Sequence, residues 1–295
     1  MSVSIEHFAR TVSPRRWREV QIQMLTACFD ASGKRADSPC IVVAGFSTIA
    51  SEWSAFEDKW AEALNRHQVS HFHAAPLARF AEPYNDWPKG EREDHRRALS
   101  EDLMRIIEDF ALRKFGACIL LSDIEQLRRQ LVIQSGEEFM IEPFVYAAIS
   151  AVEDFHAYAK LQGITSNLRY VFDDGDPQDA LRKVFDYCGF SPPDFMPDTA
   201  QKNRKGITRD PFLGLQAADW IAYEYYLNFN RLLSGEGKDE GRWAFKKFEG
   251  LRGSIGIRNY GFLRDVALEA FDSRAERMAD AVKRLRDAKD SGVAE

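Results

Sequence analysis

Four aspartates are the residues of this sequence best suited to chemistry. Asp30 ends one apolar run, Asp173 and Asp174 end another, and Asp219 lies in a helix-patterned segment rich in small residues. In open α/β sheets, ligands gather at strand ends, so these carboxylates are expected to converge. Converging carboxylates raise one another's pKa unless a cation neutralises them. Their hard oxygens suit one or two Mg²⁺ or Mn²⁺ ions, the arrangement used for phosphodiester chemistry.

Each of these acids also has a purely structural interpretation. Asp30 precedes a small-residue stretch ending in Gly33 and could serve only to form a turn. Asp174 suits a solvated turn, and Asp176 suits the N-cap of a helix that begins at Pro177. From the residues alone, the metal site and the structural interpretation stay open.

Two other polar side chains are candidates for the same site. Gln216 precedes Asp219 by three residues, so both share one helix face, and Gln216 could position water or a phosphate. His71 and His73 alternate around Phe72, and His73 is the better placed to face the acids. The competing interpretation of His73 is a surface or capped histidine.

A basic stretch precedes the segment that contains Asp219. Its position next to the suspected metal site favours contacts with phosphate groups, whereas the alternative is a solvated loop. The four residues are Lys202, Arg204, Lys205 and Arg209.

The elements that must position these residues form an alternating pattern. Two β-rich runs joined by a polar turn predict an antiparallel hairpin buried on both faces. Strands that then alternate with helices predict an α/β fold, with a mixed sheet flanked by helices. Expected strands are 23–29, 40–46, 69–73, 115–121 and 168–172; expected helices are 52–64 (N-cap Ser51), 91–113, 142–160, 177–188, 212–228 and 265–288, with 74–90 irregular.

Composition excludes several classes of protein. Lys and Arg total 40 against 46 Asp and Glu, and a net charge of −6 argues against a protein that coats nucleic acid. The 4 cysteines form no C-x-x-C pair, and nucleotide-binding or nucleophile-elbow motifs are absent. No apolar run is long enough for a bilayer and no secretory signal is visible, so a cytoplasmic protein without a membrane partner is expected.

Several of these motifs together resemble a known family. The chain resembles, over about Leu25–Leu227, the widespread bacterial family named domain of unknown function 3800 (DUF3800). The resemblance implies a ribonuclease H-like fold and metal-dependent cleavage of nucleic acid, often in phage defence or mobile elements. The motifs are FDASG at 29–33, VVAGF at 42–46, HFHAAPL at 71–77, VFDDGD at 171–176 and LGLQAADWIAY at 213–223.

By position, Asp30, Asp173 and Asp219 match the acids of that family. One departure is Ala31, where the family commonly has glutamate. If that glutamate binds metal, this member would be weakened or inactive. A fourth ligand stays open among Asp123, Asp174 and Glu224.

We expect three parts of the chain: a lead-in at 1–20, a domain at 21–232 that the resemblance implies is ribonuclease H-like, and a C-terminal helical extension at 233–295. The leading hypothesis is a metal-dependent nuclease, with DNA or RNA undetermined. The alternative is a non-catalytic module for binding nucleic acid or protein that retains the fold, motivated by Ala31 and the acidic charge. A third hypothesis is hydrolysis of small phosphate esters. A protein partner or self-association also stays open.

Overall fold

A computed structural model describes residues 24–35, 37–110, 112–130, 142–164, 167–202, 208–235 and 242–259. Within these ranges the chain forms an α/β fold, in which a mixed sheet of 6 strands is flanked by helices. The α/β class and the mixed sheet are thereby confirmed. The lead-in at 1–20 and the helix expected at 265–288 lie outside the described residues.

The sheet opens with the antiparallel hairpin that the sequence predicts, and further strands extend it on both sides. Pairing is antiparallel within the hairpin and between its second strand and the next, and parallel at the remaining three junctions. In spatial order, the strands are β5 (Asp194–Met196), β4 (Leu168–Asp173), β1 (Leu25–Ser32), β2 (Cys40–Ile49), β3 (Arg113–Leu120) and β8 (Gly253–Arg258), while β6 (Gln201–Lys202) and β7 (Thr208–Arg209) form a separate ladder.

Helices cover both faces of this sheet. None of those in the described ranges combines the length and apolar character that a bilayer crossing demands. The helices are α1 (Ala50–Arg66), α2 (Ala74–Arg79), α3 (Arg92–Asp109), α4 (Leu121–Gln130), α5 (Pro143–Leu161), α6 (Gln178–Cys188), α7 (Gly214–Leu233) and α8 (Trp243–Gly250).

Strand alternation sorts the core into two layers. Along β1, Ala27 and Phe29 join the apolar cluster under α5 and α6, whereas Cys28 joins the cluster under α1 and α7. In β4, Phe172 belongs to the first layer and Val171 to the second. Because successive side chains point to opposite faces, the residues that follow Cys28 and Val171 by two positions face α7. This sorting directs the acids at the ends of β1 and β4 towards one helix.

The start of α7 is held tightly against β1. A Cβ atom on Gly214 would lie 2.8 Å from the Trp53 ring, and the Cys28 thiol donates to the Gly214 carbonyl at 3.2 Å. The Leu213 amide donates to Glu57 of α1 at 2.9 Å. Because only glycine permits this close approach, the first turn of α7 has a fixed position over the sheet.

Three local predictions between residues 50 and 90 are wrong. Residues 69–73 form no strand, because the amide of Phe72 and its two successors donate to side chains instead of a neighbouring strand. Helix α1 begins at Ala50 with no side-chain cap, so Ser51 is not its N-cap. The stretch 74–90 is not wholly irregular, because α2 forms its first part.

The C-terminal part of the described chain also contributes to the sheet. β8 lies beyond residue 232, where the sequence places the start of a helical extension, and it pairs in parallel with β3. The buried Lys114 of β3 donates to the last carbonyls of α8, those of Phe248 and Glu249, at 2.6 and 2.9 Å. These contacts fasten α8 and β8 to the main fold.

Candidate active site

Four carboxylates from three elements form an acidic cluster at one edge of the sheet. Asp30 comes from β1, Asp173 ends β4, Asp176 lies in the turn after β4, and Asp219 comes from α7. We use the name acidic cluster for these four residues. Their charges act on one another: Asp219 and Asp176 both raise the pKa of Asp30. Asp219 and Asp176 therefore lie near Asp30, and Asp173 follows Phe172, the residue that pairs with Phe29 in the parallel register of β1 and β4.

Asp30 is the most perturbed acid of the cluster. Burial raises its pKa well above the ordinary value, and the nearby Asp219 raises it further. Lys34 and a 2.6 Å hydrogen bond from the Ala31 amide oppose this shift. With 16% of its side chain exposed, Asp30 remains reachable from solvent. An additional cation would stabilise the ionised form of Asp30, which burial and the neighbouring negative charge disfavour.

Lys34 is the cation that the chain itself supplies. Gly33 adopts a positive φ of 88°, and the turn that follows brings the Lys34 ammonium back to the acids. Its Nζ lies 2.7 Å from Oδ1 of Asp176 and 3.7 Å from Oδ1 of Asp30. Burial lowers the pKa of Lys34, but the two carboxylates outweigh it and the net shift is upwards.

Asp176 is a buried partner of this lysine and not a helix cap. Its side chain is 0% exposed, and Oδ2 has no hydrogen-bond partner. Pro177 stands at the cap position of α6, where no side chain caps the helix. The N-cap interpretation of Asp176 is therefore wrong. Burial raises the pKa of Asp176, against the opposing effect of Lys34.

Asp173 and Asp174 differ in their surroundings. Oδ1 of Asp173 accepts the Gly175 amide at 2.8 Å, and burial, with help from Asp198 and Asp176, raises the pKa of Asp173 to about 6. The Asp174 amide donates to the Met196 carbonyl at 3.0 Å, which continues the β4–β5 pairing by one residue. The negative charge of Asp174 also raises the pKa of Asp173, but less than Asp198 and Asp176 do. Asp174 as a metal ligand stays a prediction.

Asp219 and His73 lie in contact beside Asp30. Oδ2 of Asp219 accepts the Ala74 amide at 2.7 Å and lies 3.1 Å from Nδ1 of His73. The Asp219 carboxylate raises the pKa of His73 to about 9, although burial opposes the shift. Tyr84 holds the same segment through a 2.8 Å hydrogen bond from the His73 amide. His73 therefore lies at the acidic cluster, as expected, with 42% of its side chain exposed.

Gln216 is committed to protein contacts. Its Oε1 accepts the Trp60 indole N–H and the Phe72 amide, each at 3.0 Å. Its Nε2 donates to the Asp198 carbonyl at 2.7 Å, and the residue is only 1% exposed. The expected role in directly orienting water or phosphate does not fit these contacts. Gln216 instead positions the segment that carries His73 and the loop that carries Asp198.

The basic stretch precedes α7 as expected, but the structure describes only part of it. Lys202 pairs with Thr208, and Arg209 pairs with Gln201, in the β6–β7 ladder. Residues 203–207 lie outside the described ranges, and with them the predicted contacts of Arg204 and Lys205. The role of the four basic residues in binding nucleic acid stays a prediction.

Sequence reasoning missed three residues of this site. Lys34 stands four positions after Asp30, and the glycine before it signals a turn that could return it to the acids. Asp176 belongs to a run of aspartates in which the helix-cap role was the simplest interpretation. Asp198 follows the short strand β5, and only the parallel pairing of β5 with β4 places it near Asp173.

The donor set of the acidic cluster suits a hard divalent cation. All four side chains offer carboxylate oxygens, the ligands preferred by Mg²⁺ and Mn²⁺. Oδ2 of Asp176 has no hydrogen-bond partner, and the raised pKa of Asp30 means that its ionised form would gain from a bound cation. In the described ranges, no three His, Cys, Asp or Glu side chains are grouped closely enough to hold an ion, so metal binding here would require the carboxylates to move together.

The acidic cluster lies where β1, β4 and α7 meet. Comparison of the chain with protein-family models, with curated proteins and with solved structures gives no match in any of the three.

Proposed function

We propose that this chain is a divalent-metal-dependent phosphodiesterase that cleaves nucleic acid. The observation that supports the proposal is that Asp30 and Asp173 follow the paired residues Phe29 and Phe172 of neighbouring parallel strands, with Asp219 near enough to Asp30 to raise its pKa. Asp30 and Asp173 are both raised in pKa. Functional sites are where burial and like charges perturb pKa values most strongly. The mixed sheet with its opening hairpin, and the resemblance to DUF3800, support a ribonuclease H-like fold as part of the same proposal.

The protein's own residues supply binding and orientation. Asp30, Asp219 and one or both of Asp173 and Asp176 would hold the ions. Bound Mg²⁺ or Mn²⁺ would supply activation of a water molecule and stabilisation of the leaving oxygen. His73, charged through its contact with Asp219 and partly exposed, would attract a phosphate oxygen of the substrate.

The substrate is proposed to be a polymer because of the basic residues that precede α7. Lys202 lies in β6 and Arg209 lies in β7. Phosphate contacts of this kind hold a nucleic-acid backbone without reading its sequence. The net charge of −6 is compatible with such a narrow basic edge, because bound metal ions reverse the local sign of an acidic cluster.

The first prediction is metal-dependent cleavage by the purified full-length chain. With Mn²⁺, labelled single-stranded, duplex or hybrid oligonucleotides should be shortened, and excess EDTA should stop the reaction. Free nucleotides and small phosphate esters serve as comparison substrates in the same assay. A well-folded protein that cleaves no polymer with either Mn²⁺ or Mg²⁺ contradicts the proposal. Turnover of the small substrates alone would favour a small-molecule hydrolase.

A second candidate is a non-catalytic binding module with the same fold. It is favoured by one observation: the carboxylates already have protein partners, since Lys34 contacts Asp176 and Asp30 while the Ala74 amide contacts Asp219. Under this alternative, labelled oligonucleotides would bind in fluorescence anisotropy equally well with Mn²⁺ and with EDTA. They would also remain intact in the cleavage assay.

A further inference from the structure

The Lys34 ammonium occupies the space between two carboxylates of the acidic cluster. It touches Oδ1 of Asp176 at 2.7 Å and approaches Oδ1 of Asp30 to 3.7 Å. The Asp176 side chain has no exposed surface, so Lys34 is the positive charge that compensates it. A buried carboxylate without such compensation is costly. The chain thus carries its own cation at the position where the proposed function requires an external one.

We propose that Lys34 is an exchangeable internal counter-ion, which a divalent metal ion must displace and which therefore sets the metal affinity of the site. The inference rests on the proposed function, because it assigns a role towards the same ions. Two cations that approach the same carboxylates repel each other, so an ion bound with Lys34 in place would be weakened. Displacement of Lys34 would free Oδ1 of Asp176 for the metal and would leave the Ala31 amide as the remaining partner of Oδ1 of Asp30.

The geometry around Lys34 provides a second position for its side chain. The side chain is 45% exposed and lies in the loop between β1 and β2. A cleft of about 290 Å³ opens beside it, lined in part by Phe144 and Glu142. The ammonium already lies 5.8 Å from the centre of the Phe144 ring. An aromatic face and a carboxylate are both suitable partners for a displaced ammonium.

Replacement of Lys34 separates this role from a purely structural one. Lys34→Met removes the charge and keeps the length of the side chain, whereas Lys34→Arg keeps the charge. In calorimetric titrations with Mn²⁺, the methionine variant should bind at least about tenfold more tightly than the wild type. The arginine variant should stay close to the wild type. Lys59→Met, which removes an exposed lysine paired with Glu62, is the matched control and should change nothing.

A second measurement uses the unchanged protein and does not depend on how the variants fold. Amine-acylating reagent is applied with and without Mn²⁺, and modification of each lysine is followed by mass spectrometry. Mn²⁺ should increase the modification of Lys34, because it releases the ammonium from its two carboxylates. The modification of Lys59 should be unchanged.

The outcomes distinguish this inference from the proposed function. If the wild type binds Mn²⁺ but Lys34→Met binds it equally or more weakly, or if Mn²⁺ leaves the modification of Lys34 unchanged, Lys34 is not an exchangeable counter-ion and the metal site stands without it. If neither the wild type nor Lys34→Met binds Mn²⁺ at millimolar concentration, the proposed metal-dependent function fails and the inference fails with it.

Discussion

Asp30→Asn is expected to reduce Mn²⁺-dependent cleavage by more than about a hundredfold while leaving the fold intact. Loss of a group that only orients a metal ligand costs about 10–100-fold, so loss of a ligand should cost more. Asparagine keeps the size of the side chain and an oxygen that can accept the Ala31 amide. It removes the negative charge that the proposed ions require.

The same substitution is expected to stabilise the protein at neutral pH. The folded protein raises the pKa of Asp30, so it disfavours the ionised form relative to the unfolded chain. For an acid shifted in this direction, stability falls as the pH rises from the unfolded pKa through the folded one. Asparagine cannot ionise, and therefore escapes this loss. Activity that falls while stability rises is the pattern of a functional site and not of a structural carboxylate.

Cleavage rates and urea unfolding, measured for the wild type and for Asp30→Asn, test the expected loss of activity and gain of stability together. Asp186→Asn, on the exposed face of α6, is the matched control and should leave both quantities unchanged. An Asp30→Asn protein that cleaves at the wild-type rate would remove Asp30 from the active site. A variant that loses activity only because it unfolds would assign Asp30 a structural role.

Gln216→Leu is expected to have the largest effect on stability, a loss of about 3–5 kcal/mol in the free energy of unfolding. Leucine has a similar size but leaves the Trp60 indole N–H, the Phe72 amide and the Asp198 carbonyl without their partner. Each buried polar group left unpaired costs about 1–3 kcal/mol, and the costs of neighbouring groups do not add fully. The segment that carries His73 should be loosened as well.

Urea unfolding followed by circular dichroism measures this loss. Gln216→Glu retains both acceptor contacts but sets a buried carboxylate oxygen against the Asp198 carbonyl in place of the donor, so it should destabilise the protein as well. Gln126→Leu, at an exposed position of α4, is the matched control for adding an apolar side chain. A loss below about 1 kcal/mol for Gln216→Leu would mean that water replaces the missing contacts and that Gln216 does not position the site.

The parts of the fold that local pattern specifies were predictable from the sequence. The hairpin of β1 and β2 follows from two β-rich apolar runs around a turn, and both are indeed buried on two faces. Alternation along β1 and β4 then aims Asp30 and Asp173 at the same helix. Asp219 lies near Asp30 because small residues at the start of α7, Gly214 above all, allow the helix to lie close to the sheet.

The remaining features depend on contacts between residues distant in the sequence. The segment 69–73 has the composition of a strand, but its neighbours Gln216, Tyr84 and Asp219 take its amide hydrogens. The pairing of Lys34 with Asp176 joins residues 142 positions apart, and no local rule predicts it. Strands β5 and β8 are short edge strands whose pairing is set by the sheet and not by their own composition.

The most direct test of a metal-dependent active site is the location of bound Mn²⁺ by anomalous diffraction. Crystals of the full-length chain, grown without metal and soaked in millimolar Mn²⁺, would be measured at wavelengths on either side of the manganese absorption edge. Metal-dependent chemistry predicts a peak about 2.0–2.5 Å from carboxylate oxygens of Asp30 and Asp219 and of Asp173 or Asp176. A difference map without any peak among these four carboxylates, in crystals where all four side chains are well ordered, would contradict it.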